Sequence, residues 1–336
     1  MSHTFRLFVV LLVGAIGGSA MAQDAARETW ALAIHGGSGV IERDSLSPDQ
    51  ERAYRAGLSV ALEAGSAVLR RGGSSLDAVE ATIRVLEDDP LFNAGRGAVF
   101  TADGRNELDA SIMDGSTRKA GAVAGVTRTR NPISLARAVM EKSRHVMLAR
   151  EGADQFSVEQ GLEQVDPSYF RTERRWQELL DWQRDNAASL DPTHSRGTVG
   201  AIAFDMNGHL AAGTSTGGTT GKRWGRIGDS PVIGAGTYAA DGNCAVSATG
   251  AGELYIRASA ARQVCDRIAW QRLSAQEAAD ATIADIGSIG GDGGLIVMDG
   301  SGRIAFSMNT SGMYRGWVTS SAPPGTAIYA TEKDPN

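Results

Sequence analysis

The sequence predicts an α+β fold with helices outside and sheets in the middle. Two stretches alternate as hairpins, Val199–Phe204 with His209–Ala212 around Asn207-Gly208, and Leu295–Met298 with Ile304–Met308 around Gly300-Ser301-Gly302. Asn-Gly between alternating apolar strands is a strong short-range hairpin signal, and hairpins favour antiparallel sheet. Pairs of helical patterns flank them, and amphipathic helices bury their apolar stripe against a sheet. Glycine is in excess, 42 of 336 residues, which calls for many tight turns and close backbone approaches.

In chain order, Trp30–Ile34 reads as a strand running into His35-Gly36-Gly37-Ser38-Gly39. Pro48–Arg71 has helical spacing of Ala, Leu and Val, and Ser74–Leu86 follows as a second helix with Ser74 or Ser75 as cap and Asp77 in its first turn. Pro90–Gly97 is an irregular glycine-containing loop, Gly121–Thr127 a small-residue strand, and Pro132–Arg150 a helix. Residues 151–196 are rich in Arg, Glu, Asp and Gln, with Trp176 and Trp182 in an amphipathic helix; the polar end, Asn186–Arg196, reads as a mobile linker. Beyond the first hairpin, Gly252–Trp270 and Ser274–Ile286 have helical patterns.

Composition narrows the function. A net charge of −6 with both signs spread along the chain gives no nucleic-acid footprint. Arg6, the ten-residue apolar run Leu7–Ile16 and the small residues of Ala20-Met21-Ala22 form a secretory signal over residues 1–22, with the mature chain beginning near Gln23. The protein is therefore expected in the periplasm or secreted, with no membrane attachment once the signal is removed. Cys244 and Cys265 read more readily as buried small apolar groups than as a bridge, and the pairing is left open. No Cys-x-x-Cys or His-Glu-x-x-His occurs, which argues against a protein-bound zinc.

Three motifs fail on physical grounds. Gly213-Thr214-Ser215-Thr216-Gly217 matches a nucleophile elbow, but all five histidines precede Ser215, and that chemistry needs one after it. Gly234–Ala239 fits a dinucleotide fingerprint but leads into the turn Asp241-Gly242-Asn243 instead of a helix. Gly218–Arg223 has the wrong glycine spacing for a phosphate loop, and Arg223 stands where Ser or Thr is needed.

What remains is Gly197-Thr198-Val199-Gly200, where the polar linker meets the hairpin. A threonine hydroxyl is a weak nucleophile without an adjacent base. If the chain is cut before Thr198, the new α-amine supplies one, with a reference pKa of about 7.7–8.0. The same hydroxyl can make the cut by attacking the Gly197 carbonyl, and glycine leaves that carbonyl unshielded.

The stretch Gly197–Ala203 resembles the nucleophile segment of the plant-type asparaginase and isoaspartyl peptidase family, among the N-terminal-nucleophile hydrolases. Further blocks agree in order: Ile34–Gly39, Pro90–Gly97 with Glu107–Gly115, Thr214–Gly218 through Gly225–Pro231, and Ala248–Glu253. The resemblance covers about 30–150 and 197–317 and leaves 151–196 unmatched.

The resemblance implies a four-layer αββα sandwich and self-cleavage at Gly197–Thr198 into an α-subunit (23–197, with a variable linker at about 151–196) and a β-subunit (198–336), together forming one catalytic domain. It implies that two such αβ units pair into an (αβ)2 heterotetramer. Thr198 would be nucleophile and base, oriented by Thr216, with Asn93 in the loop behind the site. The Thr249 hydroxyl and Gly250 N–H would form the oxyanion hole. Arg226 would clamp the substrate α-carboxylate and Asp229 hold its α-ammonium. The substrate would be asparagine or a β-aspartyl dipeptide, and no cofactor would serve catalysis. A structural sodium would be held by main-chain oxygens of Leu86, Glu87, Asp89, Phe92, Ala94 and Arg96. Glycosylasparaginase, which shares the logic, and a periplasmic solute-binding protein are the alternatives. The former usually carries Asp-Thr-Ile-Gly at its nucleophile, not Gly-Thr-Val-Gly.

Overall fold

The computed structural model describes Met1 and residues 29–186 and 197–335. The stretch read as a signal, beyond Met1, and the polar stretch 187–196 lie outside the described residues. The elements are β1 (Ala31–Gly39), α1 (Pro48–Arg70), α2 (Ser75–Asp88), β2 (Leu108–Asp114), β3 (Ala120–Val126), α3 (Pro132–Lys142), β4 (Met147–Ala149), α4 (Arg150–Glu159) and α5 (Glu173–Asn186), followed by β5 (Val199–Phe204), β6 (Leu210–Thr216), β7 (Thr237–Ala240), β8 (Cys244–Gly250), α6 (Gly252–Ala258), α7 (Ala260–Gln271), α8 (Ala275–Ser288), β9 (Gly293–Asp299), β10 (Ile304–Met308), β11 (Gly312–Thr319) and β12 (Gly325–Tyr329).

They build the αββα sandwich. One sheet has the order β12-β11-β1-β5-β6-β2-β3-β4 and the other β10-β9-β8-β7; every pairing is antiparallel except β3 with β4. Strand alternation assigns the layers. Leu32 and Ile34 of β1 and Val199, Ala201 and Ala203 of β5 face the α1/α2/α3 layer, whereas Ala31, Ala33, Ile202 and Phe204 face the second sheet. Beyond that sheet, α7 and α8 close the fourth layer.

Local signals set the helix starts. Ser47 and Ser274 form capping boxes with Gln50 and Glu277, and Ser74 accepts from the Asp77 N–H. Two expectations are corrected. The helix read over Pro132–Arg150 ends at Lys142: the Ser143 hydroxyl bonds back to the Val139 carbonyl, and Met147–Ala149 add a short strand beside β3. The helix read over Gly252–Trp270 breaks at Ser259, whose φ of +49° is left-handed. The amphipathic helix read around Trp176 and Trp182 forms as α5. In α5, Arg174 donates to the Tyr54 hydroxyl (2.9 Å), Arg175 donates to the Gly97 carbonyl (2.7 Å), and Trp176 packs edge-on to Phe100.

Cys244 on β8 and Cys265 on α7 are joined as a disulfide, with Cα atoms 5.5 Å apart. The leaning towards two separate buried thiols is therefore corrected: the sheet–helix packing that buries both also brings them together.

Candidate active site

The site forms where β5 and β6 meet the loops after α2, β6 and β8. The Gly197–Thr198 junction opens β5, and Thr198 is buried. Gly37 lies against it: a Cβ there would come within 2.9 Å of Gly197 Cα and 3.2 Å of Thr198 N, and its φ is +110°. Only glycine allows that approach with that backbone.

Asn93 is held from three sides. Its Oδ1 accepts from the Val99 N–H (2.9 Å), and its Nδ2 donates to the carbonyls of Gly197 (2.8 Å) and Gly218 (2.7 Å). Thr216, at the end of β6, donates to the same Gly197 oxygen (3.1 Å) and receives the Thr198 hydroxyl (3.1 Å). The carbonyl before Thr198 thus faces two donors, and the hydroxyl after it is already oriented. His35 Nδ1 donates to the Thr198 carbonyl (2.9 Å).

Thr249 and Gly250 end β8 at this site. Thr249 is fully buried, its Oγ1 3.3 Å from the Ser38 N–H, and Gly250 lines the same cleft as Thr198, Thr216, Arg226 and Asp229. A Cβ at Gly250 would fall 2.3 Å from the Asp292 carbonyl.

Arg226 makes the two-pronged pair expected of it, but with Glu253: Nε and Nη2 donate at 2.8 and 2.9 Å. Its Nη1 lies beside Gly218 and Gly228, where Cβ atoms would stand 3.3 and 2.8 Å away. The sequence reading gave Glu253 no role; its place in the Ala248–Glu253 block was the available signal. Asp229 is buried, and its Oδ2 has no hydrogen-bond partner among the described residues. Burial pushes its carboxyl up to about 7, against the pull of Arg226. A carboxylate oxygen withdrawn from water and left unpaired suits a cationic ligand.

The loop after α2 was expected to hold sodium. Pro90 has no N–H to give the Leu86 carbonyl four residues earlier, so that helical bond cannot form. Gly95, at φ +48°, lies so close to the Glu87 carbonyl that a Cβ would reach it at 2.3 Å, and a Cβ at Gly97 would meet the Phe92 oxygen at 2.0 Å. The Asp89, Phe92 and Ala94 carbonyls each accept one backbone N–H, which leaves each a second lone pair. Neutral main-chain oxygens with a spare lone pair suit a hard cation. Leu86, Glu87, Asp89, Phe92, Ala94 and Arg96 would hold it, and it would fix the loop that carries Asn93.

The serine of the rejected elbow points away from the groups above. Ser215 is fully buried and donates to Glu87 Oε1 (2.7 Å) on the opposite face of β6 from Thr214 and Thr216. A roomier cleft between α2 and α3 is lined by the ion pairs of Arg137 with Glu80 and Glu141 and holds none of the groups above.

The asparaginase family profile matches residues 28–328. The isoaspartyl peptidase of Escherichia coli (strain K12) is 48% identical over 311 residues, covering 90% of this chain and 97% of that protein. That of Salmonella typhimurium is 47% identical, covering 89% and 98%. The plant-type L-asparaginase of Pyrococcus abyssi is 42% identical, covering 84% and 94%. Fold, ordered motifs and these likenesses agree: the chain belongs to the asparaginase family of N-terminal-nucleophile hydrolases, that of the plant-type asparaginases and isoaspartyl peptidases.

Proposed function

We propose that this chain is an L-asparaginase and isoaspartyl peptidase that matures by cutting itself between Gly197 and Thr198. The observation that carries the reading is the Gly197 carbonyl, which accepts from Asn93 Nδ2 and Thr216 Oγ1 while Thr216 also receives the Thr198 hydroxyl. Attack by Thr198 Oγ1 on the Gly197 carbon puts negative charge on that oxygen, and fixed donors there lower the barrier. The C–N bond breaks, the nitrogen takes the proton, and water opens the ester to a Gly197 carboxylate and a free Thr198 amine.

In the mature enzyme that amine takes the proton of its own hydroxyl. Oγ1 attacks the β-amide carbon, and the oxyanion falls to Thr249 Oγ1 and the Gly250 N–H. Ammonia or a peptide amine leaves with the proton, and water releases L-aspartate from the acyl-enzyme. Asp229 reads the α-ammonium and Arg226 the α-carboxylate, through Nη1 or by exchanging Glu253 for substrate. Because the head of the substrate is read and the leaving group is not, asparagine and β-aspartyl dipeptides are both cut.

The names of the three relatives favour this reading over glycosylasparaginase. Rates on asparagine, β-Asp-Leu and a glycosylated asparagine test it: the third must be the slowest by far. A solute-binding protein would release no ammonia from asparagine. Export is proposed from the apolar run 7–16 and is supported by the Cys244–Cys265 bridge, which an oxidising compartment favours. Pairing of two αβ units is proposed by family analogy.

A further inference from the structure

Strand register places three rows of side chains side by side between the sheets. Ala33, Ile202, Ala212 and Met113 form an apolar row; Thr216 and Asp109 lie in the catalytic one. Between them runs His35–Gly200–Thr214–Ser111, each paired with the next across β1, β5, β6 and β2. Facing it on the second sheet is the pair Thr237–Ser247.

These buried groups are joined end to end. The Thr198 carbonyl can only accept, so His35 carries its proton on Nδ1 (2.9 Å), and Nε2 accepts from the Ser247 hydroxyl (2.9 Å). Ser247 contacts Thr214 (2.7 Å), Thr214 contacts Thr237 (2.5 Å), and Thr237 contacts Ser111 (2.8 Å). From Thr237 through Thr214, Ser247 and His35 to the Thr198 carbonyl, every link can donate in one sense, and bonds aligned this way reinforce one another. Ser111 Oγ ends the row by donating to the carbonyl of Ser230 (2.6 Å), next to Asp229. Gly200 has no room for a side chain because the link crosses it: a Cβ would fall 2.0 Å from Ser247 Oγ and 2.3 Å from His35 Nε2. Burial lowers the imidazole to about 3, so it is neutral at working pH.

We propose that His35 is a positioning residue for the nucleophile: its Nδ1–H fixes the Thr198 carbonyl, and the hydroxyl row locks the ring that does so. The inference rests on Thr198 being the nucleophile. Cleavage frees the amino side of Thr198, so the bond to its carbonyl joins the Thr216 contact in restraining how amine and hydroxyl are presented. The row does not touch substrate, which assigns its effect to kcat and not to KM.

The test uses the full chain with asparagine as substrate, kcat being normalised to the matured fraction. His35→Leu is expected to lower kcat about 100-fold, the scale of a nucleophile displaced by about 1 Å, with KM within about threefold. His35→Asn keeps a donor near the Nδ1 position and is expected to recover at least about tenfold over His35→Leu at an equal melting temperature. Gly200→Ala, which removes no polar group, is expected to lower kcat in the same direction. Should His35→Leu fail to fold or mature, the other two variants carry the test. A kcat within about threefold of the parent, a loss confined to KM, or no recovery in His35→Asn overturns the proposal. Thr198→Ala is run in parallel: activity there would refute the underlying nucleophile reading, whereas a dead Thr198→Ala beside a normal His35→Leu refutes this inference alone.

Discussion

Replacing Asn93 by aspartate isolates the donor that faces the Gly197 carbonyl. The side chain keeps its shape, and the oxygen that accepts from the Val99 N–H is retained. What disappears is the Nδ2–H placed 2.8 Å from the Gly197 oxygen and 2.7 Å from the Gly218 oxygen. Loss of one donor to a developing oxyanion costs roughly 3–4 kcal/mol, or about 100–1000-fold in rate. A carboxylate in its place adds repulsion in the same direction. Self-cleavage is therefore expected to slow by at least about 100-fold, read as the appearance of the 198–336 fragment on denaturing gels of freshly purified chain. Because Thr216 still donates to the Gly197 oxygen at 3.1 Å, cleavage is slowed and not abolished. Maturation of Asn93→Asp within about threefold of the parent would refute the assignment of Gly197 O as the oxygen stabilised during the cut.

Asp229, raised to about 7, must be ionised to hold an α-ammonium, so kcat/KM on asparagine is expected to climb as pH rises through about 7, together with deprotonation of the Thr198 amine. In stability the sign is reversed. The unfolded carboxyl ionises near its ordinary value and the folded one near 7, so the fold loses stability as pH rises between them. Asp229→Asn is expected to weaken asparagine binding and to melt higher than the parent at pH 8, with that gain gone at pH 4. Arg226→Ala is expected to raise KM by about 10–100-fold, the worth of one or two charged hydrogen bonds, with a smaller effect on kcat. Joint replacement of Cys244 and Cys265 by alanine is expected to cost about 3 kcal/mol for a loop of 21 residues, seen as a lower melting temperature that added reductant no longer changes.

Much of this fold was legible because its signals are local. Ser47, Ser74 and Ser274 announce helix starts through bonds to backbone three residues on, and Asn207-Gly208 announces a hairpin. The misreadings share a cause. Met147–Ala149 become a strand only because β3 offers an edge, and Ser259 turns left-handed within a stretch that carries no glycine or proline after Gly252. Arg175 finds the Gly97 carbonyl from 78 positions away, and Cys244 meets Cys265 only after a strand and a helix have packed. The site divides in the same way. Thr198, Thr216, Asn93, Arg226 and Asp229 were reachable through ordered motifs. The row through His35, Thr214 and Ser111 depends on register across four strands, and nothing near His35 in the chain points to Ser247.

The central claim is that the working nucleophile is a threonine whose own amine is free. Amino-terminal sequencing and intact mass of the fully active enzyme test it most directly. Expected are a fragment that begins Thr-Val-Gly-Ala at residue 198 and activity that rises in step with its appearance. Full activity from a chain unbroken at Gly197–Thr198, or from a fragment whose Thr198 amine is blocked, would contradict it.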